Sequence, residues 1–261
     1  MNADNKITLE RRKQVLLIGL NRPDQRNLFD VDMIQALSAA YGEVENDPDL
    51  RCGVLFAHGK HFTLGLDLAQ VVSALADGEI DFPDGSLDPW ATRPPYRSKP
   101  LICALHGICL TLGIELALAA DIRLAATGTR FAQLEIKRGL YPFGGATVRF
   151  VREAGWGNAM RYLLTGDEFG PEEALRMGLV QEVVEPDRLL PRAIELAELV
   201  ARQAPLGVQA TLKSARLALL DGERDAMHGL LPVLRELLQT EDALEGVQSF
   251  LERREAKFGG R

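Results

Sequence analysis

The chain has 261 residues, 46% of them hydrophobic and 26% charged, which is material for one sizeable soluble core. Its formal net charge of -7 argues against nucleic acid or an anionic membrane surface as partner, so an anionic ligand would need a local cluster of cations and helix N-termini. Cys52, Cys103 and Cys109 sit in apolar runs as reduced core residues do, and the four histidines lack zinc-ligand spacing, so no metal site is read.

Met1 to Glu10 is polar and mixed in charge, unlike a secretory or transit segment. No apolar run reaches the roughly 18 residues of a membrane span. The expectation is a soluble, cytoplasmic protein.

Strands are expected over Ile7 to Glu10 and Val15 to Leu20, broken by Asn21, Arg22 and Pro23. Asp30 is placed to cap a helix running to about Glu45, with Met33, Ile34, Leu37, Tyr41 and Val44 at helical spacing. A short buried strand, Gly53 to Ala57, leads into a loop, His58 to Asp67, and a second helical stretch. Residues 77 to 100 are rich in Asp, Gly, Pro and Ser around Trp90 and Tyr96, and read as a long surface loop or lid; a solvated insertion anchored by two aromatics fits equally.

Leu101 to Leu105 and Ile122 to Ala126 read as buried strands flanking a helix, Leu112 to Ala120. The alternation predicts right-handed crossovers and a largely parallel sheet, hence an α/β fold. From Gly145 the pattern is helical except for a strand at Leu179 to Val184, with amphipathic segments over 187 to 203, 206 to 220 and 223 to 256.

Three segments could carry chemistry. The helix starting near Leu112 leaves its first N–H groups unpaired at a partly positive end, where a developing oxyanion can be held. Glu115, in its first turn, is a carboxylate on a helix that is apolar nearly all round; it is either used or merely complements the helix dipole. Glu135 stands where the chain turns, ahead of Gly139 and Gly144-Gly145, and read alone is a solvated residue pairing with Lys137 or Arg138. In His61-Phe-Thr-Leu-Gly-Leu-Asp-Leu-Ala69, Gly65 can expose the amide of Leu66, while Asp67 caps or orients the following turn.

In this order, and with Asn21-Arg-Pro-Asp-Gln-Arg-Asn27, Leu164-Thr-Gly-Asp167 and Ala174-Leu-Arg-Met-Gly-Leu-Val180, the segments resemble the crotonase (enoyl-CoA hydratase/isomerase) family from about residue 15 to 258. The resemblance implies a crotonase-like spiral of ββα units over 1 to 200, a helical C-terminal oligomerisation region over 201 to 261, and a homotrimer or dimer of trimers. It implies an enzyme acting on an acyl-CoA thioester, with CoA as part of the substrate and no separate cofactor. The oxyanion-hole amides fall on Leu66 and Leu112, and the hydratase carboxylates on Glu115 and Glu135. Leu64, Gly65, Leu66, Asp67, Leu68, Ala69 and Leu112 fall at substrate or CoA contacts, and Arg26 near the phosphates.

The chain departs from the family's pattern at Leu64, Thr111, Leu112, Leu134 and Gly259. Both carboxylates are present and Phe143 stands where dienoyl isomerases add an acid, which favours hydration of a 2-enoyl-CoA. The alternatives are another reaction of the family, such as isomerisation or acyl-CoA hydrolysis, or a non-catalytic acyl-CoA-binding or scaffold protein.

Overall fold

The computed structural model describes residues 5–71 and 80–261. Its main sheet holds β1 (Ile7–Arg12), β2 (Val15–Leu20), β3 (Cys52–Ala57), β4 (Leu101–Leu105), β6 (Ile122–Ala126) and β8 (Glu182–Val184), in the order β1-β2-β3-β4-β6-β8. Only the β1–β2 pair is antiparallel. The central strands are continuous apolar runs because both of their faces are covered. Alternate residues separate: Leu16, Ile18 and Leu20 turn toward α1 (Val31–Asn46) and α2 (Leu112–Ala119), while Val15 and Leu17 face Leu189, Ala193, Ala197 and Ala201 of α6 (Pro186–Ala201). β1 is the exposed edge, and its charged Glu10, Arg11 and Arg12 discourage pairing with another chain.

Apart from β8, which begins at Glu182 where Leu179 was expected, the expected strands and first helix stand within a residue or two of their predicted limits, and Asp30 caps α1 by accepting from the Met33 amide at 2.9 Å. The helical stretch expected after Asp67 begins at residue 68 and is described to residue 71; residues 72–79 lie outside the described residues. The loop expected over 77 to 100 is described from residue 80 and is irregular, exposed in parts such as 83–85 and 94–95 but anchored between them. Leu87 and Trp90 are buried, Asp88 accepts from the amides of Trp90 and Thr92, and Ser98 bonds Glu45, whereas Tyr96 is only half-buried.

A second sheet of two short strands, β5 (Ile108–Leu110) and β7 (Arg130–Ala132), was not expected. Three residues give no usable period, and the tight turn at Gly107 is the one local signal. That glycine has φ +59°, and a Cβ on it would lie 2.0 Å from the Lys60 carbonyl oxygen. Each of β4 and β6 thus hands on to a short strand stacked beyond the main sheet, which is the ββ step of a ββα spiral.

The helical remainder is more divided than its periodicity suggests: α3 (Ala146–Ala154), α4 (Trp156–Leu163), α5 (Pro171–Arg176), α6, α7 (Pro205–Leu220), α8 (Glu223–Leu237) and α9 (Glu241–Glu252). The segment expected as one helix over 223 to 256 breaks because Thr240 caps a new start, its hydroxyl accepting from the Ala243 amide at 3.1 Å. Pro186, two residues past the end of β8, opens α6 as its first residue. The C-terminal helices leave Leu230, Leu231, Leu234, Leu244 and Phe250 exposed. No helix among the described residues is long and apolar enough to cross a membrane.

Candidate active site

Three segments run side by side in parallel. Residues 62–66 lie along β5, with the Thr63 amide donating to Ile108 O and the Leu110 amide to Thr63 O, both at 3.1 Å. β5 pairs with β7 on its other side, and the Thr111 amide continues the ladder to Ala132 O at 2.9 Å. Parallel segments finish at the same edge. Leu66, Leu112 and Glu135 therefore leave one end of a three-segment ribbon, although they lie far apart in sequence.

Buried hydrogen bonds fix this edge. The Asn27 side-chain amide donates to His58 O and His61 O, and Thr63 Oγ1 donates to Asn27 O at 2.6 Å while accepting from the Gly65 amide at 3.0 Å. Gly65, at φ +105°, then swings the chain so that Gly65 O and the Asp67 amide both bond Phe29. In that bridge the Leu66 N–H is turned away from Phe29. Leu112 is the first residue of α2, whose N–H has no intrahelical partner. Among the described residues neither amide donates to a protein acceptor. The two loops touch closely, since a Cβ on Gly65 would lie 2.1 Å from Thr111 Oγ1.

Glu115 is 1% exposed. Burial pushes its carboxyl up to about 7, the Ala146 amide at 3.0 Å pulls it down, and the nearby charge of Glu135 pushes it up again. Gly144 is required beside it, because a Cβ there would meet Glu115 Oε2 at 2.6 Å and Trp90 Cδ1 at 2.8 Å. Glu135 opens a 3-10 turn, Glu135–Arg138, and burial raises its carboxyl too. It forms no ion pair with Lys137 or Arg138, contrary to the reading of that segment alone. Its Oε2 is buried without a partner among the described residues, as are Trp90 Nε1 and both amide atoms of Gln133. Two raised carboxyls and unsatisfied donors and acceptors in one neighbourhood suit the handling of a polar reactant.

A family model for enoyl-CoA hydratase/isomerase matches residues 10–261. The chain belongs to that family. It is 35% identical to "Enoyl-CoA hydratase EchA19" of Mycobacterium tuberculosis, covering 97% of this chain and 96% of the relative. It is 36% identical to "(E)-benzylidenesuccinyl-CoA hydratase" of Thauera aromatica, over 97% and 99%. The crystal structure of a "probable enoyl-CoA hydratase/isomerase" from Mycobacterium abscessus superposes with a TM-score of 0.97 at 53% identity, covering 98% of this chain and 99% of that one. The crotonase fold read from the sequence is the fold of the molecule.

In this member of the crotonase family the remaining expected contacts are spread around Leu66. Leu64 is half-buried, its amide bonding Arg26 O at 3.2 Å. Leu68 and Ala69 are exposed at the start of the next helix, and Asp67 binds the Gln70 side chain at 2.8 Å instead of capping a backbone amide with its carboxylate. Arg26 is exposed, and its charge, with those of Lys60, His106 and Arg130, acts after burial to hold the His61 imidazole below its usual range. The sequence marks Asn27 and Thr63 only as parts of longer motifs and Trp90 only as a loop anchor, and it does not single out the Ala146 amide. A polar residue within an apolar stretch was the available signal for Thr63; nothing local distinguishes the Ala146 amide.

Proposed function

We propose that the protein hydrates the 2,3 double bond of a 2-enoyl-CoA. The observation carrying this reading is the meeting of two unpaired amides, Leu66 and Leu112, with the buried Glu115 and the half-buried Glu135 at the end of one parallel ribbon. The thioester oxygen accepts from both amides, which draws electron density from the β-carbon and stabilises the enolate formed as water adds. One such donor is worth roughly 2.7–4 kcal/mol.

Glu135 takes a proton from the water as its oxygen bonds to the β-carbon, and a proton is then returned to the α-carbon. Glu115 holds the water from the other side, fixed by Ala146. Burial raises both carboxyls, and the charge of Glu135 adds to the rise of Glu115 to about 7, so Glu115 is partly protonated near neutrality. Leu64 to Ala69 line the path of the CoA, and the cations Arg26 and Lys60 lie at hand for its phosphates. The reaction needs no cofactor beyond the CoA carried by the substrate. The exposed leucines of α8 and α9 suit a homotrimer or dimer of trimers, with residues 201 to 261 as the oligomerisation region, and the cytoplasm is the proposed location.

Loss of the conjugated enoyl absorbance of crotonyl-CoA tests the reading. Glu135→Gln is expected to lower kcat by about 10²–10⁴-fold while acyl-CoA affinity stays within a few-fold. Full activity in that variant refutes the assignment of Glu135. Tight acyl-CoA binding without turnover of any enoyl-CoA by the native protein refutes the enzyme and favours a binding module.

A further inference from the structure

Along α2 from Glu115 toward its C-terminal end, Leu118 to Asp121 wall a separate cavity. Leu118 and Ala119 follow Glu115 by three and four residues on α2, and Arg149 and Arg152 follow Ala146 at intervals of three on α3, so both helices carry one face outward from the carboxylate. These faces border a cavity of about 590 Å³, closed by residues 91–97, 141–145 and the end of α7.

Its charge runs against that of the chain. Arg97, Arg123, Arg149, Arg152 and Arg216 line it, opposed only by Asp121 and Glu153. Both acids are already engaged: Asp121 binds Arg97 at 3.1 Å and Arg216 at 2.9 Å, and Glu153 binds Arg123 at 2.7 Å. Arg149 spends its bonds on the backbone carbonyls of Trp90, Ala91 and Gly144. Arg152 forms no hydrogen bond or ion pair among the described residues; its like charge bears on Arg149, as do the opposite charges of Asp88 and Glu115. Arg152 is thus the guanidinium without a carboxylate partner among the described residues, beside Arg149 on a chamber whose other walls include Leu118, Tyr141, Phe143 and Leu219.

A plain alkyl tail would lay hydrocarbon against Arg152 and leave it without an anion. We infer that the chamber receives an acyl group bearing a second carboxylate, remote from the thioester, which Arg149 and Arg152 hold while the apolar walls take the carbons between. This rests on the acyl-CoA reading of the site and narrows it to dicarboxylic acyl thioesters. Guanidinium suits the role because its planar fork matches a carboxylate.

The test compares two six-carbon substrates, 2-hexenoyl-CoA and the 2-enoyl-CoA of adipic acid, which differ in a terminal methyl against a terminal carboxylate. The native protein is expected to show a kcat/KM ratio at least about tenfold in favour of the carboxylated substrate, weakening as salt rises. Arg152→Gln is expected to lower that ratio about tenfold, and Arg152→Glu to invert it. Arg152 is exposed and lacks partners, so these variants are expected to fold, which melting temperature verifies. A native ratio of one or less, or a ratio indifferent to both variants, overturns the inference. Binding of the unreactive pair adipyl-CoA and hexanoyl-CoA separates it from the hydratase reading. Preference for adipyl-CoA without hydration of either enoyl substrate sinks the hydratase reading and upholds this one; hydration without preference does the reverse.

Discussion

The amide of Ala146 donates to Oε1 of Glu115 at 3.0 Å, tying the first residue of α3 to a carboxyl inside α2. This bond opposes but does not cancel the effect of burial, which lifts the group from 4.5 to about 7. The folded protein therefore binds this proton more tightly than the unfolded chain. The contribution of Glu115 to stability is full below about pH 4.5 and is lost as pH rises through about 7, a loss on the order of 3 kcal/mol. Glu115→Gln keeps an acceptor for Ala146 and abolishes the titration. Urea unfolding at about pH 5 and about pH 8 is expected to show the native protein losing stability between them and the variant losing far less. Parallel profiles would refute the buried ionisation.

Gly144→Ala brings a methyl to 2.6 Å from Glu115 Oε2 and 2.8 Å from Trp90 Cδ1. One of them must move. The expected cost is about 1–3 kcal/mol of stability and, because an ångström of displacement suffices, about 10²-fold in kcat. The melting temperature and crotonyl-CoA kinetics measure both, and an unchanged kcat would show that Glu115 is not held for the reaction.

Much of this was legible in the sequence. Val15 to Leu20 and Leu101 to Leu105 are bounded apolar runs, and Asp30 announces α1, so the main sheet and its first helix follow from local signals. The division of the C-terminal helices was hidden because helical periodicity continues across Leu238 to Thr240, and only the cap at Thr240 marks the break. Glu135 is the harder case. Its neighbours Lys137 and Arg138 suggest a solvated ion pair, but its environment is set by the pairing of β7 with β5, a long-range register that no local pattern encodes.

Thr111 has φ +50° and ψ -117°, a region favoured by glycine, and its side chain makes no cap hydrogen bond. Such strain costs on the order of 1–3 kcal/mol, against which a glycine loses about 0.5–1 kcal/mol of chain entropy. Thr111→Gly is thus expected to stabilise the protein by up to about 2 kcal/mol, read from the urea midpoint at constant m-value. A lower midpoint would mean that the hydroxyl packed over Gly65 outweighs the strain.

Asn27 is the keystone of the loop that presents Leu66. Its side chain accepts from the Arg22 amide at 2.7 Å and donates to His58 O at 3.0 Å and His61 O at 2.8 Å, with no exposure to solvent. Asn27→Ala leaves one donor and two acceptors without that partner, at a cost of about 1–3 kcal/mol for each group that water cannot reach. The Thr63 hydroxyl bonds the backbone carbonyl of residue 27, which the substitution keeps, so Thr63 and Gly65 are disturbed only as far as that carbonyl shifts with the loosened loop. Asn27→Asp is the sharper comparison, since it preserves the bond from Arg22 but places a charge against two carbonyl oxygens. Both variants are expected to lower the melting temperature, and, where folded, to lower kcat/KM for crotonyl-CoA more than they weaken binding of free CoA. Equal losses in the two would mean that Asn27 supports the CoA contacts and not the amide at Leu66.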